Sequence, residues 1–420
     1  MKMIPILLAF IAITTSQAFS QLTLDQCQEK AKLNYPQIKQ YELIEKSRDY
    51  SLSNAGKAYL PQVTLAAKAT YQSDAINLDM RVSDTRTLSI HQSRDQYQAA
   101  LEVNQILWDG GVTSTQKNMV KANAEMEKQK LEVELYTIKE RVNQMYFGLL
   151  LLQEQLLQNQ ILQQELQTNV EKVQAYIKNG VANQSDLDAV KLEQLNNSQR
   201  RIELLTASKS YREMLTALIG EPVGEKMERP VLNTMDLASS VNNRPELRFF
   251  DSQMNLLENQ GQMIQTGTVP KLGLFVQGGV GKPGMNMLSS DFSPFYIGGI
   301  RLSWNISGFY TQNNQLNNLK ISREMVNNQK ETFLFNNKLK VNQQNNELDK
   351  IRELIKSDDE IIHLHANIKN ASQAKVENGV QTVTDLLREI NAESLARQQK
   401  ALHEIQLLMG IYNLKYSTNN

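Results

Sequence analysis

Asp186 and Asp385 stand in nearly the same phrase, GVANQSDL and GVQTVTDL, and each follows a glycine able to end a helix. A carboxylate placed just after such a break favours the next helix, because the unpaired N–H groups and the dipole at a helix start attract negative charge. Helix-start stabilisation is therefore one chemistry open to both acids. Other reactive side chains are few. His363 and His365 are two apart in a helical stretch, so they do not share a face and make no metal pair. Met285 and Met287 lie two apart in a loop, a minimal soft-metal pattern that defines no site by itself. Cys27 is the only cysteine, which excludes an intrachain disulfide. Gln26 precedes it where lipid-bearing cysteines follow a small residue, so a buried or half-buried thiol is expected. There is no Gly-rich phosphate loop, no G-x-S-x-G elbow and no histidine–carboxylate zinc spacing. The sequence thus implies no enzyme, no cofactor and no metal.

The aspartate phrases belong to a longer repetition. Pro36 and Pro245 are 209 residues apart (245 − 36) and open NYPQIKQY and NRPELRFF. Pro61 and Pro270 keep that spacing, as LPQVTL and VPKLGL. Beyond them the spacing becomes 199 (379 − 180) and holds for Gly180-Val181 with Gly379-Val380 and for Asp186-Leu187 with Asp385-Leu386. A period this long marks a duplicated fold unit rather than a short-repeat solenoid. Each copy reads as short helix, two strands, very long helix, turn, returning helix. The expected segments are a first repeat over 21–220, a linker over 221–244 and a second repeat over 245–420. The ten-residue change in spacing falls in the polar loops between strands.

In residues 22–34, Leu22, Leu24, Cys27 and Ala31 share a helical face, with Thr23 or Asp25 near its start. Pro36 interrupts this helix, because the residue before a proline avoids helical geometry. Four segments then alternate with period two. Val63, Leu65, Ala67, Ala69 and Tyr71 share a face opposite Thr64, Lys68, Thr70 and Gln72. Leu101, Val103 and Leu107 oppose Gln98, Glu102 and Asn104, and in the second copy Ile300, Leu302 and Ile306 oppose Arg301 and Ser303. Leu272, Leu274, Val276, Gly278 and Val280 complete the set. Such alternation suits a sheet between an apolar and a wet environment. From Gly111 to Asn179 there is no proline, and Leu131, Leu135, Ile138, Val142, Met145, Leu149, Leu152 and Leu156 recur at the 4-3 spacing of a coiled coil. The pattern resumes at Leu162, Leu166 and Val173, and the second copy keeps Leu334, Val341, Leu348, Ile351 and Ile355. Ser185-Asp186 and Thr384-Asp385 suit the starts of the returning helices.

With 45 basic and 45 acidic residues among 420, the totals give no support for a nucleic-acid surface. Aromatics at 6% favour a helix-rich chain over an all-β one. Residues 1–20 read as an export signal: Lys2, an apolar run from Ile4 to Ala18, and Ala18-Phe19-Ser20 before Gln21. No later segment reaches the ~18 apolar residues of a spanning helix, whereas ~9–11 tilted residues suffice for a spanning strand. Four strands cannot close a barrel, and lipid does not tolerate open edges, so several chains must pool theirs. The lipid side would carry Val63, Leu65, Leu101, Val103, Leu272, Leu274, Ile300 and Leu302; the lumen would carry Lys68, Glu102 and Arg301. Trp108 and Trp304, near the ends of the returning strands, suit an interfacial aromatic belt.

LTLDQCQEKAKLNYPQIKQ at the start of the mature chain, RPEL at Arg244–Leu247, LEVNQILWDGG at 101–111 and the phrases GVANQSDL and GVQTVTDL resemble TolC-like outer-membrane efflux proteins. The resemblance covers residues 22–416 and includes the duplication. It implies a mixed, mostly α fold in which a homotrimer pools a twelve-stranded barrel in the outer membrane of a Gram-negative bacterium. Long helices would continue it as a periplasmic α-helical barrel. It further implies a passive exit duct for small molecules or polypeptides, served by a periplasmic adaptor (membrane fusion protein) and an inner-membrane pump of RND, ABC or MFS type. By the same resemblance the tip turns Gly180, Val181, Leu187, Gly379, Val380 and Leu386 touch the adaptor, and Asp385 lines the entrance. Asp186, Arg388 and Gln381 are the other entrance candidates. Arg388 stands where the best-known member has a second acid, and Gln381 where it has a lock arginine, which puts the salt-bridged lock of that member in doubt. The rival expectation is a soluble periplasmic coiled-coil adaptor or scaffold. An adaptor, however, carries one helical hairpin, and this chain has two, each with its own strand pair.

Overall fold

The computed structural model describes residues 22–83, 86–231 and 242–419. The export signal expected over 1–20 and residues 232–241 of the expected linker lie outside the described residues. The described residues group into two compact units that cut across the sequence repeats. One holds residues up to Ile38, Glu134–Arg244 and Leu334 onward; the other holds Lys39–Val133 and Pro245–Phe333.

The second of these units carries the sheet. Helix α2 (Gln40–Gly56) leads to strand β1 (Gln62–Tyr71), which starts just after Pro61, where a missing N–H costs no ladder bond. Strand β4 (Asp95–Trp108) returns, and after helix α5 (Pro245–Thr266) come β5 (Lys271–Lys282) and β6 (Ser293–Ser303). The four form one antiparallel sheet in the order β1-β4-β5-β6, so β1 and β6 are its edges. Six strands are described where four were expected. The first inter-strand connection folds into a hairpin of its own, β2 (Asn77–Ser83) and β3 (Arg86–His91). Leu78, Met80 and Val82 alternate there with Asp79 and Arg81, a short period-two run inside a charged loop. Ile306, expected on a strand face, instead begins a one-turn 3₁₀ helix, because β6 ends at Ser303. The register of β4 on β5 slips between Ile106 and Trp108, which places Leu107 in a bulge near the end of the strand.

The first unit is helical. Thr23 caps α1 (Leu24–Asn34) in a reciprocal box with Gln26, and Leu24, Cys27 and Ala31 are buried. Helices α3 (Val112–Lys178) and α6 (Phe309–Glu377) contribute residues to both units. They contain 67 and 69 residues, so each spans about 100 Å at 1.5 Å per residue. Helices α4 (Gln184–Ile219) and α7 (Val383–Thr418) run back from the turns. The coiled-coil stripe of α3 is buried at Leu131, Leu135, Ile138, Val142 and Leu149. Tyr146 and Phe147, which the heptad pattern did not single out, are the bulkiest fully buried side chains. The Tyr146 hydroxyl donates to the carbonyls of Leu22 (3.1 Å) and Glu228 (2.8 Å), and Phe147 meets Tyr412 of α7 with ring centres 5.6 Å apart. Arg244 of the RPEL phrase has a structural role: its guanidinium lies 4.9 Å from the ring centres of both Tyr136 and Tyr416, which themselves stack at 4.6 Å. No described helix is long and apolar enough to cross a membrane.

Candidate functional site

Residues paired across an antiparallel ladder point to the same side, so the register sorts the sheet into two faces. Val63 pairs with Val103 and Leu65 with Leu101; Leu274 pairs with Ile300 and Leu272 with Leu302. Val103 pairs in turn with Val276, which joins all eight apolar candidates on one face. That face is open in the chain: Leu65 is 76% exposed, Ile300 69% and Leu302 68%. Thr64, Glu102 and Gln277 share the opposite face with Lys68, Gln98 and Arg301. There the Arg301 guanidinium is 3.6 Å from the Glu102 carboxylate, donates to Asn104 Oδ1 at 3.4 Å and covers the Phe275 ring at 4.6 Å. Asn104 also donates to Glu102 at 2.9 Å. Phe275, Phe295 and Ile297 sit on this polar side as well, so the alternation is not perfect. Trp108 ends β4 and Trp304 follows β6, both at the sheet end where the long helices begin. The indole of Trp304 donates to the Thr268 carbonyl at 2.9 Å.

The join from β4 to α3 turns on Asp109, which sequence reading passed over. Its carboxylate accepts from the Tyr59 hydroxyl (2.9 Å) and the backbone N–H groups of Gly111 (2.9 Å) and Thr113 (2.7 Å). Burial alone would raise its pKa, but these bonds outweigh it and hold the group at about 2.

The two tip turns are built alike. Helix α3 ends on Gly180 (φ +75°) and α6 on Gly379 (φ +69°), left-handed positions that glycine takes without steric cost. Val181 N–H bonds the Tyr176 carbonyl at 2.9 Å, and Val380 N–H bonds Lys375 at 2.8 Å, each pairing a carbonyl the helix leaves free. The next helices start at Asn183 and Thr382, two residues before the Ser185 and Thr384 expected from sequence. Asp186 and Asp385 are the third helical residues. Each carboxylate reaches back to the cap N–H, at 3.0 Å and 3.3 Å, while the cap side chain accepts from the aspartate N–H. The Thr382 side chain, its backbone and then Arg388 hold the Asp385 carboxyl below the usual range. Arg388 lies 4.0 Å from Asp385 and 3.3 Å from Glu389. Gln381 accepts from the Ser372 hydroxyl at 3.1 Å.

Leu187 and Leu386 do not face out. They are buried with Leu166, Val173, Val190, Val376, Val383 and Ile390 in a cluster that packs the four helices behind the turns. Val181 and Val380 are the open apolar residues, 45% and 76% exposed. Farther along the helices lies a charged junction that heptad reading missed. Lys369 of α6 is 2.6 Å from Glu165 of α3 and 2.7 Å from Glu393 of α7, and Arg397 holds the other oxygen of Glu393 at 2.6 Å. Burial pushes the Glu393 pKa up, yet Lys369 and Arg397 outweigh it and bring the group below its ordinary value. Its signal in the sequence was faint: Glu393 and Arg397 are one helical turn apart, but Lys369 is distant.

Residues 28–221 match the family model described as outer membrane efflux protein. That match covers the first repeat of the chain. Solved structures extend the likeness through the second repeat. The outer-membrane channel OprN superposes with a TM-score of 0.68 at 14% identity, covering 94% of this chain and 89% of that one. VceC of Vibrio cholerae gives 0.68 at 13%, covering 94% and 96%. CmeC of Campylobacter jejuni gives 0.64 at 12%, covering 94% and 85%. At these identities the superpositions establish the fold alone. No curated protein sequence matches the chain. The family match over the first repeat, carried by a channel fold that runs through both, marks an efflux channel of the outer membrane that extends into the periplasm and sets aside the soluble adaptor.

Proposed function

We propose that three copies pool their four-stranded sheets into a twelve-stranded barrel in outer-membrane lipid, with the apolar face outward and Lys68, Glu102 and Arg301 toward the lumen. The observation that carries this is a sheet whose exposed apolar face lies between two unpaired edges, β1 and β6. A closed barrel is the arrangement that satisfies such edges in lipid. Trp108 and Trp304 then lie at the periplasmic interface.

The helical hairpins serve as the periplasmic duct, and the turns at Gly180 and Gly379 form its entrance. Val181 and Val380 offer apolar contact to a periplasmic adaptor, with Leu187 and Leu386 holding the turns rather than touching it. An inner-membrane pump supplies the energy, because the channel has no chemistry of its own. Asp385 and Arg388 set the charge at the entrance, with Asp186 and Gln381 beside them. The cargo is a small molecule or a polypeptide.

Sedimentation of detergent-extracted protein and planar-bilayer recording test this reading together. A trimer with a stable conductance is expected. A detergent-free monodisperse monomer refutes it.

A further inference from the structure

Phe275 interrupts the polar side of the sheet and is built into the charged cluster there. It pairs with Asn104 of β4 on one side and with Gly299 of β6 on the other. Its ring leans over Gly299: a Cβ added to that glycine would lie 3.2 Å from Cε1 and 3.4 Å from Cζ. Arg301 starts from the edge strand β6, yet its guanidinium meets residues of β4, two strands and about 10 Å away. The partner of Arg301 on the intervening strand is Gly273, which has no side chain to block the crossing.

Polar contacts alone do not hold this reach. Arg301 is 3.6 Å from the Glu102 carboxylate and 3.4 Å from Asn104 Oδ1, whereas a strong charge-assisted bond measures about 2.7–2.9 Å. Glu102 takes its short bond elsewhere, from Asn104 at 2.9 Å. The arginine side chain is 55% exposed, so surrounding packing does not confine it. What lies against the guanidinium is the Phe275 ring, its centre 4.6 Å from the guanidinium carbon, within the range where an aromatic face attracts a cation.

We infer that Phe275 sets the ion preference of the barrel by holding Arg301 along the wall beside Glu102, an inference that rests on the three-copy barrel proposed above. Held there, the guanidinium offsets the carboxylate, and the two present little net charge to a passing ion. Released, Arg301 swings into the bore on its flexible stem, while Asn104 keeps Glu102 at the wall. A passing ion then meets the positive charge first. Stacking of this kind at an exposed site favours the held position roughly 2- to 5-fold. Phe275 is thus a positioning residue, and its place on the polar side of the strand has a reason.

The test is the reversal potential of the full-length protein in planar bilayers under a potassium chloride gradient, with assembly checked by sedimentation in detergent. Phe275→Leu keeps the apolar bulk and loses the aromatic face, so its potassium-to-chloride permeability ratio should fall by up to roughly fivefold. Phe275→Tyr keeps the face and should keep the ratio. Gly299→Val drives the ring off its seat and should shift the ratio in the same direction as leucine does. Combined with Arg301→Gln, Phe275→Leu should add no further shift, because the cation it positions is gone. A leucine variant with the original ratio, or a shift that persists beside Arg301→Gln, overturns the inference and leaves the barrel standing. An unsubstituted protein without a trimer or a conductance overturns the barrel and the inference with it. Should Phe275→Leu fail to assemble, Gly299→Val with and without Arg301→Gln gives the same comparison.

Discussion

Replacing Lys369 with methionine should loosen the helices behind the tip turns. The side chain joins Glu165 and Glu393 at 2.6 and 2.7 Å, and the Glu393 side chain is only 6% exposed. Removing one partner of a buried pair costs ~3–5 kcal/mol, because the other charge stays buried and uncompensated. Arg397 still holds Glu393, and Glu165 is 30% exposed and can turn to water. The expected loss is therefore about 2–3 kcal/mol, or roughly 30- to 150-fold in the local opening equilibrium. Native-state hydrogen exchange reads that quantity directly: amides of α7 around Glu393 should lose protection by about this factor. The double variant Lys369→Met with Glu393→Gln removes the stranded charge and should recover most of the protection. Burial alone would lower the Lys369 pKa, but Glu165 and Glu393 raise it, and Glu393 itself is lowered. The junction's contribution is thus fully present between the ordinary Glu and Lys values, about 4.3 and 10.4. It fades as pH falls below that window through the depressed Glu393 value or rises above it through the raised Lys369 value. Unchanged exchange in the single variant, or a double variant no better than the single, refutes the argument.

Leu65→Arg or Leu274→Arg should impair membrane insertion by ~2–4 kcal/mol if near mid-bilayer, whereas Glu102→Gln or Arg301→Gln should alter conductance or ion preference. Equal insertion defects in both classes would contradict the assigned faces. Asp385→Ala should weaken block by a trivalent cation applied from the periplasmic side in planar bilayers, while Asp186→Ala leaves it nearly unchanged; unaltered block makes Asp385 a helix-start residue only. Burial first, with a smaller contribution from Glu221 against the pull of Lys30, pushes the Cys27 thiol up to about 11. At pH 8 it should therefore resist a maleimide until the protein is denatured, and fast labelling of native protein would place it at the surface.

The helices and sheet faces were legible because apolar residues recur at fixed periods. Every third and fourth residue of α3 and every second residue of β1 and β4 carry the pattern. The Asp385 and Asp186 phrases marked the turns correctly, but the caps fell on Asn183 and Thr382. Short polar side chains compete for that position, and only backbone geometry decides between neighbours. The β2–β3 hairpin was hidden because its apolar residues, Leu78, Met80 and Val82, are few and flanked by Asp79 and Arg81. The Glu165–Lys369–Glu393 junction was invisible for another reason: charges brought together by tertiary packing of three helices leave no spacing rule in the chain. Leu187 and Leu386, which the resemblance puts at the adaptor contact, are buried in the chain, because the turn pulls the first leucine of each new helix into the core.

The two hairpins are fastened by different chemistry at the same place. Asn159 and Asp358 are 199 residues apart (358 − 159) and occupy the same slot of the repeat. In the first copy Asn159 donates to Asn197 Oδ1 at 2.6 Å and to its carbonyl at 2.9 Å, and Asn197 returns a bond at 3.0 Å. In the second copy Asp358 meets His403 at 2.9 Å, and Lys369, Glu393 and Arg397 add further charges. Amide bonds of this kind do not titrate, whereas a junction built on a depressed carboxyl weakens once pH falls below the ordinary glutamate range. The exposed Arg200–Glu203 pair of α4 adds little to the first hairpin. Acidification toward pH 3 should therefore release amides of α7 near Glu393 before those of α4 near Asn197, with the order read by hydrogen exchange. Simultaneous release, or release of α4 first, would mean that the shared apolar cluster behind the turns governs both hairpins and that the charged junction contributes nothing separable.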